Sequence, residues 1–512
     1  MHSESPDNEL LHRFETDVWE QVPHLVGKEV VNPTPLVEVT EALRQCASGE
    51  YGLHLSGSFR VFAKFDSKIV GGSVKMRPAV RIVGEALATG KLHRGQTIFE
   101  ATSGNFGLAL GVLGKLGLDV VALVSRRLQQ GVVDQLQKDG VRLVNLDVEI
   151  CPAPGIQGSA GPLVAKGVAA SVRQQLAELG FDPKRFDGVR GEAEELLARQ
   201  DAIGLAKLMA LAYGGFCTQQ YDNELNVEVH QTVTGPEVDA QLAEKGSSLA
   251  RADLVSTFGT GGTAGGISGY IASKHGRKGV RVVFPLAGQD VAGIRTKEKT
   301  VGLPFYSPGS YLGEHEADFE EASRLFEFFN RKGFDVGESG ALALYACMQL
   351  LNYGVGTEFV VMVADGASKY RSEVQAVARR GKRDQVRLDE AASTIGEYGG
   401  VIWAHNMFVP RPEGVKAIAG SLGCAESEVK VANVLDVQTM LNGGNPSEEF
   451  ERLLPKDDRP VLVVCMAGNT SLMLAKVLER RGVAAESLVG GITGLPASRG
   501  RQPFDFVQMA RG

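Results

Sequence analysis

The stretch EATSGNFGLALG, residues 100–111, joins the end of a β-rich run to the start of a helical pattern. Its centre holds small hydrogen-bonding residues where a buried core would need apolar ones. A helix that begins there presents free N–H groups and the positive end of its dipole, which together attract an anion. The stretch therefore predicts a strand–turn–helix unit that binds a negatively charged group.

The composition of the 512-residue chain is typical of a water-soluble protein with two or three domains. Apolar residues make up 43% of the chain, charged residues make up 22%, and the formal net charge is −7. Because nucleic acids are bound by concentrated basic surfaces, this acidic balance predicts no nucleic-acid partner. No run approaches the roughly 20 apolar residues that cross a membrane, and the acidic N-terminus is unlike a targeting peptide. We therefore expect a cytoplasmic protein with no membrane partner.

The six cysteines are scattered along the chain without the paired spacing of a disulfide framework or a zinc site. This spacing predicts reduced thiols and no bound metal. Five of the six are expected to be small buried apolar groups.

β-rich runs alternate with helical patterns along most of the chain, a rhythm typical of parallel sheets covered by helices. The rhythm stops at a polar, arginine-rich segment, so we predict one α/β domain over residues 1–375 and a smaller one over 376–512. Residues 151–214 carry glycine–proline punctuation and two amphipathic segments, and this pattern predicts a helical insertion.

Two further segments carry chemistry. FGTGGTAGG, residues 258–266, follows a β-rich run, and its glycines would let backbone N–H groups crowd around a phosphate. No lysine follows its last glycine, so it is not a Walker A loop, and taken alone it could be a structural turn. KFDSKIVGGSVKMRPAVRIV, residues 64–83, places Lys75 just before a helical pattern. A helix N-terminus disfavours positive charge there, which would lower the lysine pKa and favour a Schiff base.

The order of these three segments resembles the fold-type II pyridoxal-phosphate enzymes, and their spelling resembles the cysteine synthase and cystathionine β-synthase family. NPTPLVEV at 32–39 and QQYDNELNVEVHQTVTGPEV at 219–238 are similar to further segments of that family. The resemblance implies an α/β core of two parallel-sheet subdomains with pyridoxal 5'-phosphate as cofactor.

The resemblance also implies a role for each candidate residue. Lys75 would hold the cofactor as a Schiff base and then remove the substrate's α-proton. Asn105 would bind the cofactor's ring oxygen. The cofactor's phosphate would lie on the glycine loop, at Gly259, Thr260, Gly261, Gly262 and Thr263. The substrate carboxylate would be held by Thr102, Ser103, Gly104 and Gln220.

The residue that would face the pyridine nitrogen depends on the register of the alignment. Where the family usually has a serine, our alignment of VGESGALAL places Glu338, with Ser339 one residue later. Three further departures from the family pattern, at the pair Ile69-Val70, at Met76 and at Phe106, are expected to alter the pocket walls. The substrate therefore stays open.

The segment RPVLVVCMAGNTSLMLAKVLERRGVAAESLVGGITGLP, residues 459–496, resembles the rhodanese family. Cys465 ends its β-rich run, and the N–H groups of the six residues from Cys465 to Thr470 would surround the sulfur, lower the thiol pKa and suit a persulfide. Thr470 occupies the position where phosphatases of related loop geometry need arginine. The alternative is a rhodanese-like fold with an inert cysteine.

These features predict β-replacement on an activated serine, of the O-acetyl- or O-phosphoserine type, that forms a sulfur-containing amino acid. The second domain would supply or carry sulfur, with a possible sulfur donor or carrier protein as partner and a homodimer as the assembly. One alternative is an amine nucleophile, which would give 2,3-diaminopropionate, and another is β-elimination to pyruvate and ammonia. The non-enzyme alternative is a cofactor-binding regulator or scaffold, although a scaffold needs neither Lys75 nor the Thr-Ser-Gly-Asn turn.

Overall fold

The protein is described by a computed structural model that divides into two compact units, Met1–Val374 and Gln375–Gly512. The residues that the structure describes are 6–102, 104–125, 130–146, 162–289, 291, 293–367, 385–405, 411–441, 445–455, 457, 459–465 and 469–495. Within these ranges no helix is long and apolar enough to cross a membrane.

The strands of the first unit are β1 His24–Val26, β2 Glu29–Val31, β3 Leu36–Glu38, β4 Arg60–Phe65, β5 Thr97–Ala101, β6 Asp119–Ser125, β7 Arg142–Leu146, β8 Asp253–Thr257, β9 Val280–Pro285, β10 Gly313–Ala317 and β11 Glu358–Val363. Its helices are α1 Pro6–Asp17, α2 Thr40–Tyr51, α3 Met76–Ala88, α4 Asn105–Gly114, α5 Gln130–Lys138, α6 Pro162–Glu178, α7 Pro183–Ala198, α8 Ala202–Tyr213, α9 Leu225–Val229, α10 Gly235–Glu244, α11 Gly262–His275, α12 Phe319–Arg331 and α13 Glu338–Asn352. A π-helical turn, His230–Thr234, joins α9 to α10.

The larger sheet of this unit has six strands in the order β10-β9-β8-β11-β4-β3, all parallel except β3. Its central strand β11, EFVVMV, is almost entirely apolar because both faces of the sheet are covered. α2, α12 and α13 pack on one face, and α10 and α11 pack on the other. The glycine loop at 258–261 and residues 364–367 therefore leave the sheet at neighbouring carboxyl ends, those of β8 and β11.

The smaller sheet is parallel, in the order β5-β6-β7, and lies between two groups of helices. On one face of this sheet, its apolar residues form a single core with α6, α7 and α8. These three helices lie within the segment predicted as an insertion. The second amphipathic segment of that prediction, residues 192–212, is divided between the end of α7 and α8. It breaks because Gln200 adopts a left-handed φ of 58° and the Asp201 side chain accepts a hydrogen bond from the N–H of Gly204, which caps α8. Residues 151–161 lie outside the described ranges.

The second unit is built on a five-stranded parallel sheet in the order β12-β16-β15-β13-β14. Its strands are β12 Gln385–Val386, β13 Gly400–Ala404, β14 Val429–Ala432, β15 Val461–Val464 and β16 Ala485–Leu488. Its helices are α14 Leu388–Ser393, α15 Arg411–Leu422, α16 Val434–Leu441, α17 Glu448–Glu451 and α18 Asn469–Arg480. One apolar core lies on each face of the sheet.

Candidate active site

Lys75 lies immediately before α3, on a segment that is tied to the carboxyl end of β11. Gly71 and Gly72 turn the chain with φ values of 84° and 69°, a conformation that favours glycine. The N–H of Val74 then donates to the carbonyl of Ala364 at 2.7 Å. This contact fixes the backbone next to Lys75 against the larger sheet.

A buried ion-pair network holds the first turn of α3 in place. The guanidinium of Arg77 binds both carboxylate oxygens of Asp66 at 2.9 Å and one oxygen of Glu237 at 2.7 Å. The ammonium of Lys64 also binds Glu237, and all four side chains are fully buried. Removing one partner from such a network leaves an uncompensated buried charge. The network therefore fixes a helix that begins one residue after Lys75.

The amine of Lys75 is tuned toward its neutral form. Burial, and then the positive charge of Arg295, lower the pKa of Lys75 to about 8. Its Nζ lies 3.5 Å from Oγ1 of Thr260 on the glycine loop. Because a neutral amine is the nucleophile in Schiff-base formation, this environment suits a reactive lysine.

The glycine loop between β8 and α11 needs its glycines for space as well as for conformation. Gly261 has a φ of 93°, and a Cβ there would lie 2.6 Å from the ring of Phe258. A Cβ on Gly262 would lie 2.2 Å from the side-chain oxygen of Asn226, and a Cβ on Gly259 would lie 2.6 Å from the carbonyl of Gly293. The backbone is therefore bare at the N-terminus of a 14-residue helix, where an anion is favoured.

The two threonines of the loop are held by buried side chains. Asn226 donates to Oγ1 of Thr260 at 3.1 Å and to the carbonyl of Gln220 at 2.7 Å. Oγ1 of Thr263 lies 3.2 Å from Nε2 of His230. Burial, and then the charge of Arg77, lower the pKa of His230 to about 3, so this imidazole is neutral at physiological pH.

In the turn at 102–105, the Thr102 side chain, which was predicted to bind substrate, is hydrogen-bonded to the start of α4. Oγ1 of Thr102 accepts hydrogen bonds from the N–H groups of Gly104 and Gly107, both at 3.1 Å, which caps α4. Gly104 has a φ of 132°. The Asn105 amide donates to Asp365 at 2.7 Å. Ser103 lies outside the described residues.

One cavity brings together side chains from five separate parts of the first unit. Of the predicted site residues, those that line it are Lys75, Asn105, Gln220, Gly259, Thr260, Gly261, Thr263 and Ser339. These come from the start of α3, the start of α4, the segment after α8, the glycine loop and the start of α13. The structure thus places the predicted lysine, phosphate loop and amide groups around a single space.

Four predicted residues are not among the described residues that line this cavity: Thr102, Gly104, Gly262 and Glu338. Glu338 is buried at the first position of α13, whereas Ser339, one residue later, reaches the cavity. Of the three departures expected in the pocket walls, Phe106 lines the cavity, but Ile69 and Met76 pack into the core between the smaller sheet and its helices.

Three residues near the site were missed by the sequence analysis: Glu100, Asn226 and Arg295. Asn226 lies inside the quoted segment at 219–238, and Glu100 opens the stretch at 100–111, so both were in view. Nothing in the local pattern indicates that either side chain is buried against Gln220. Arg295 stacks on the ring of Tyr221, 5.2 Å from its centroid. The sequence around Arg295 does not indicate this contact, which forms only in the folded protein.

Cys465, the other predicted catalytic residue, belongs to the second unit. It follows β15 directly and is buried. Its Sγ accepts a hydrogen bond from Oγ of Ser471 at 3.3 Å, and that hydroxyl lies 2.8 Å from Oγ of Ser487. Residues 466–468, part of the loop expected to surround the sulfur, lie outside the described residues.

The site of the first unit fits pyridoxal phosphate on its own geometry. A lysine of lowered pKa faces the cavity, and a bare glycine backbone at a helix N-terminus borders the same cavity together with the threonines Thr260 and Thr263. These are the groups that a carbonyl cofactor with a phosphate requires. Fold and site together define the class, an enzyme that uses pyridoxal phosphate.

The chain belongs to the pyridoxal-phosphate dependent enzyme family, whose sequence profile matches residues 28–366. It is 25% identical over 322 residues to the O-acetylserine dependent cystathionine beta-synthase of Bacillus subtilis (strain 168), covering 61% of this chain and 88% of that protein. It is 26% identical over 318 residues to cysteine synthase B of Escherichia coli (strain K12), covering 61% and 86%.

Among solved structures, the chain is similar to a hydrogen sulfide-producing enzyme. The TM-score is 0.51 and the sequence identity is 20%, over 70% of this chain and 92% of the other. This likeness establishes the α/β fold-type II core with its parallel sheets.

Proposed function

We propose that this enzyme carries out β-replacement on an activated serine, of the O-acetyl- or O-phosphoserine type, and so forms a sulfur-containing amino acid. The observation that carries the proposal is the meeting of Lys75 with Gln220 in one cavity that the glycine loop also lines. The names of the relatives, which include a cysteine synthase and an O-acetylserine dependent enzyme, support the same substrate class.

Each site residue has an assigned role in the proposed reaction. When bound, pyridoxal phosphate supplies an electron sink for the substrate's α-carbon. Lys75 would hold the cofactor and, once its amine is released, accept the α-proton at Nζ. Asn105 would bind the ring oxygen of the cofactor and so orient the ring. Ser339, which lines the cavity, would face the ring nitrogen in place of Glu338. Gln220 would bind the substrate carboxylate.

The phosphate of the cofactor would be held by backbone N–H groups and two hydroxyls of the glycine loop. Thr260 is oriented by Asn226, and Thr263 is paired with the neutral imidazole of His230. A neutral imidazole that donates from Nε2 leaves the Thr263 hydroxyl free to donate to an anion. The loop would thus present donors without adding a titrating charge near pH 7.

We further propose that the second unit is a rhodanese-like domain that carries or supplies sulfur. In its sheet, β15 lies between β16 and β13. The chain connects β15 to β16 on one side and β13 to β14 on the other, so the connections diverge between β15 and β13. Open α/β sheets bind ligands beyond the carboxyl ends of strands at such a reversal. Cys465 stands at the carboxyl end of β15, with Ser471 as a hydrogen-bond donor to its sulfur.

Spectra and products together test the first proposal. The absorbance of the purified holoenzyme should change on titration with O-acetylserine or O-phosphoserine, and mass spectrometry should detect cysteine when sulfide is added. Product with an amine but not with sulfide would favour diaminopropionate formation, and pyruvate alone would favour elimination. No spectral change with any amino acid would contradict catalysis on this substrate class and favour the regulator.

A further inference from the structure

A buried carboxyl group, that of Glu100, lies behind Gln220. Glu100 is the fourth residue of β5 and is 2% exposed. Four consecutive residues direct donors at it. The Thr218 hydroxyl and the Cys217 thiol reach Oε2, the latter at 3.8 Å, and the Gln220 amide lies 3.5 Å from Oε1. The backbone N–H of Gln219 also faces this carboxyl and favours its ionised form.

The backbone that wraps the carboxyl is strained. Gln219 has a φ of 56°, a left-handed conformation that is unfavourable for a non-glycine residue and persists only where the surroundings hold it. Its N–H faces Glu100, and the next residue is Gln220. A carboxylate that collects these donors offsets the strain, and it thereby sets where the Gln220 side chain lies.

Glu100 is also two residues from Thr102, whose hydroxyl caps α4 at the turn predicted to bind the substrate carboxylate. Gln220 lines the cavity, but Glu100 is not among the described residues that do so. One buried side chain thus connects the two segments that would grip the substrate. Its influence on substrate must act through them.

We propose that Glu100 is a positioning residue for the substrate's α-carboxylate, and that its ionised form holds the Gln220 amide in its binding position. The inference rests on the proposed function, since it assigns Gln220 to an amino-acid carboxylate. A protonated Glu100 would place an O–H donor among groups that are themselves donors. The grip on the substrate would then loosen.

The protonation state of Glu100 changes near neutral pH. Burial raises the pKa of Glu100 to about 7, although the donors of Thr218, Gln219 and Gln220 oppose the shift. Among the described residues, the titratable groups that face it are the Cys217 thiol and, beyond that thiol, the ion pair of Lys207 with Asp222. Burial, and then the charge of Glu100, hold the pKa of Cys217 well above its usual value, so the thiol stays a donor.

The test is the affinity of the holoenzyme for L-alanine, an amino acid with no β leaving group, measured by calorimetry between about pH 5.5 and 8.5. For the wild type, the dissociation constant should rise as the pH falls through about 7. Glu100→Gln should raise it about tenfold at high pH, the loss expected for a hydrogen bond to a charged group. The constant of that variant should keep only the steady pH dependence of the alanine amino group, which must lose its proton on binding, and should lack the additional inflection near pH 7.

Thr218→Val is the second variant, because it keeps the carboxyl group and removes one donor to its ionised form. The pH midpoint of L-alanine affinity should move upward, a shift that a purely structural role of Glu100 would not produce. Unchanged pH profiles in both variants would overturn the inference alone. A wild type that fails to respond to any amino acid would overturn the proposed function and this inference with it.

Discussion

The Nζ of Lys75 lies 3.5 Å from Oγ1 of Thr260, a residue 185 positions later in the chain. The contact joins the start of α3 to the glycine loop between β8 and α11. The buried ion pairs of Arg77 fix the start of α3, and a hydrogen bond from Asn226 orients the Thr260 side chain. Lys75 and the glycine loop therefore belong to one site that is fixed at both ends, and changes at either end should have separable effects.

Lys75→Ala should reduce turnover of O-acetylserine or O-phosphoserine by at least about 10²-fold, since the group that binds the cofactor and accepts the proton is lost. The variant should still bind pyridoxal phosphate without a covalent bond, because the glycine loop is intact. Borohydride reduction followed by mass spectrometry checks the covalent bond. Lys68→Ala is the matched control, since this lysine is half-exposed and pairs with Asp335. Full turnover by Lys75→Ala would refute the assignment.

Gly261→Val should weaken binding of pyridoxal phosphate, because a side chain there meets the Phe258 ring at 2.6 Å and blocks the loop. Gly117→Val is the matched control. Gly117 has a similar φ of 96° but open space around it, so that variant suffers backbone strain without crowding. Cofactor titration of both proteins separates the two effects. Equal affinities in the two variants would place the phosphate elsewhere.

Capture of pyridoxal phosphate by the apoenzyme should speed up as the pH rises, with a midpoint near pH 8. Below its pKa of about 8, Lys75 is protonated and has no lone pair for attack on the aldehyde. Arg295→Gln should move this midpoint upward, because it removes the second cause of the lowered pKa. Stopped-flow absorbance across the pH range measures both midpoints. A rate that does not depend on pH would argue against a titrating Lys75.

Ser339→Ala should slow exchange of the substrate's α-proton by roughly tenfold, the effect expected from losing one hydrogen bond to the cofactor ring. Glu338→Gln should change this rate much less, because Ser339 and not Glu338 lines the cavity. Deuterium exchange into L-alanine, followed by NMR, compares the two variants with the wild type. The reverse ranking would return Glu338 to the ring nitrogen.

In the proposed transfer, thiosulfate would convert the Cys465 thiolate to a persulfide and leave as sulfite, and an added dithiol would reduce the persulfide and release sulfide. With that dithiol present, Cys465→Ser should abolish product formation from thiosulfate but leave turnover with free sulfide nearly intact, since the thiol is proposed to carry sulfur and not to bind the amino acid. Cys424→Ser is the control, another cysteine of the second unit. Product is quantified with each donor for both variants. Equal losses with both donors would mean a structural role for Cys465.

Local features that the chain displays in order indicated the glycine loop and Lys75 as candidates, and the resemblance of the ordered segments to a known family implied the pyridoxal-phosphate fold. A few neighbouring residues are enough to indicate a glycine required by a positive φ, a lysine at a helix start or a strand before a loop. Gly261 and the strand β8 that precedes it are examples. The alternation of strands and helices likewise predicted parallel sheets without reference to any contact.

Only the tertiary structure decided which of two adjacent side chains reaches the cavity and which is buried beside it. Ser339 lines the cavity and Glu338 does not, and the Thr102 hydroxyl accepts hydrogen bonds from two N–H groups at the start of α4. The burial of Glu100 under residues 217–220 has no local signature either. Its partners lie 117 to 120 positions later in the chain, and a pKa raised by desolvation exists only once those segments have packed together.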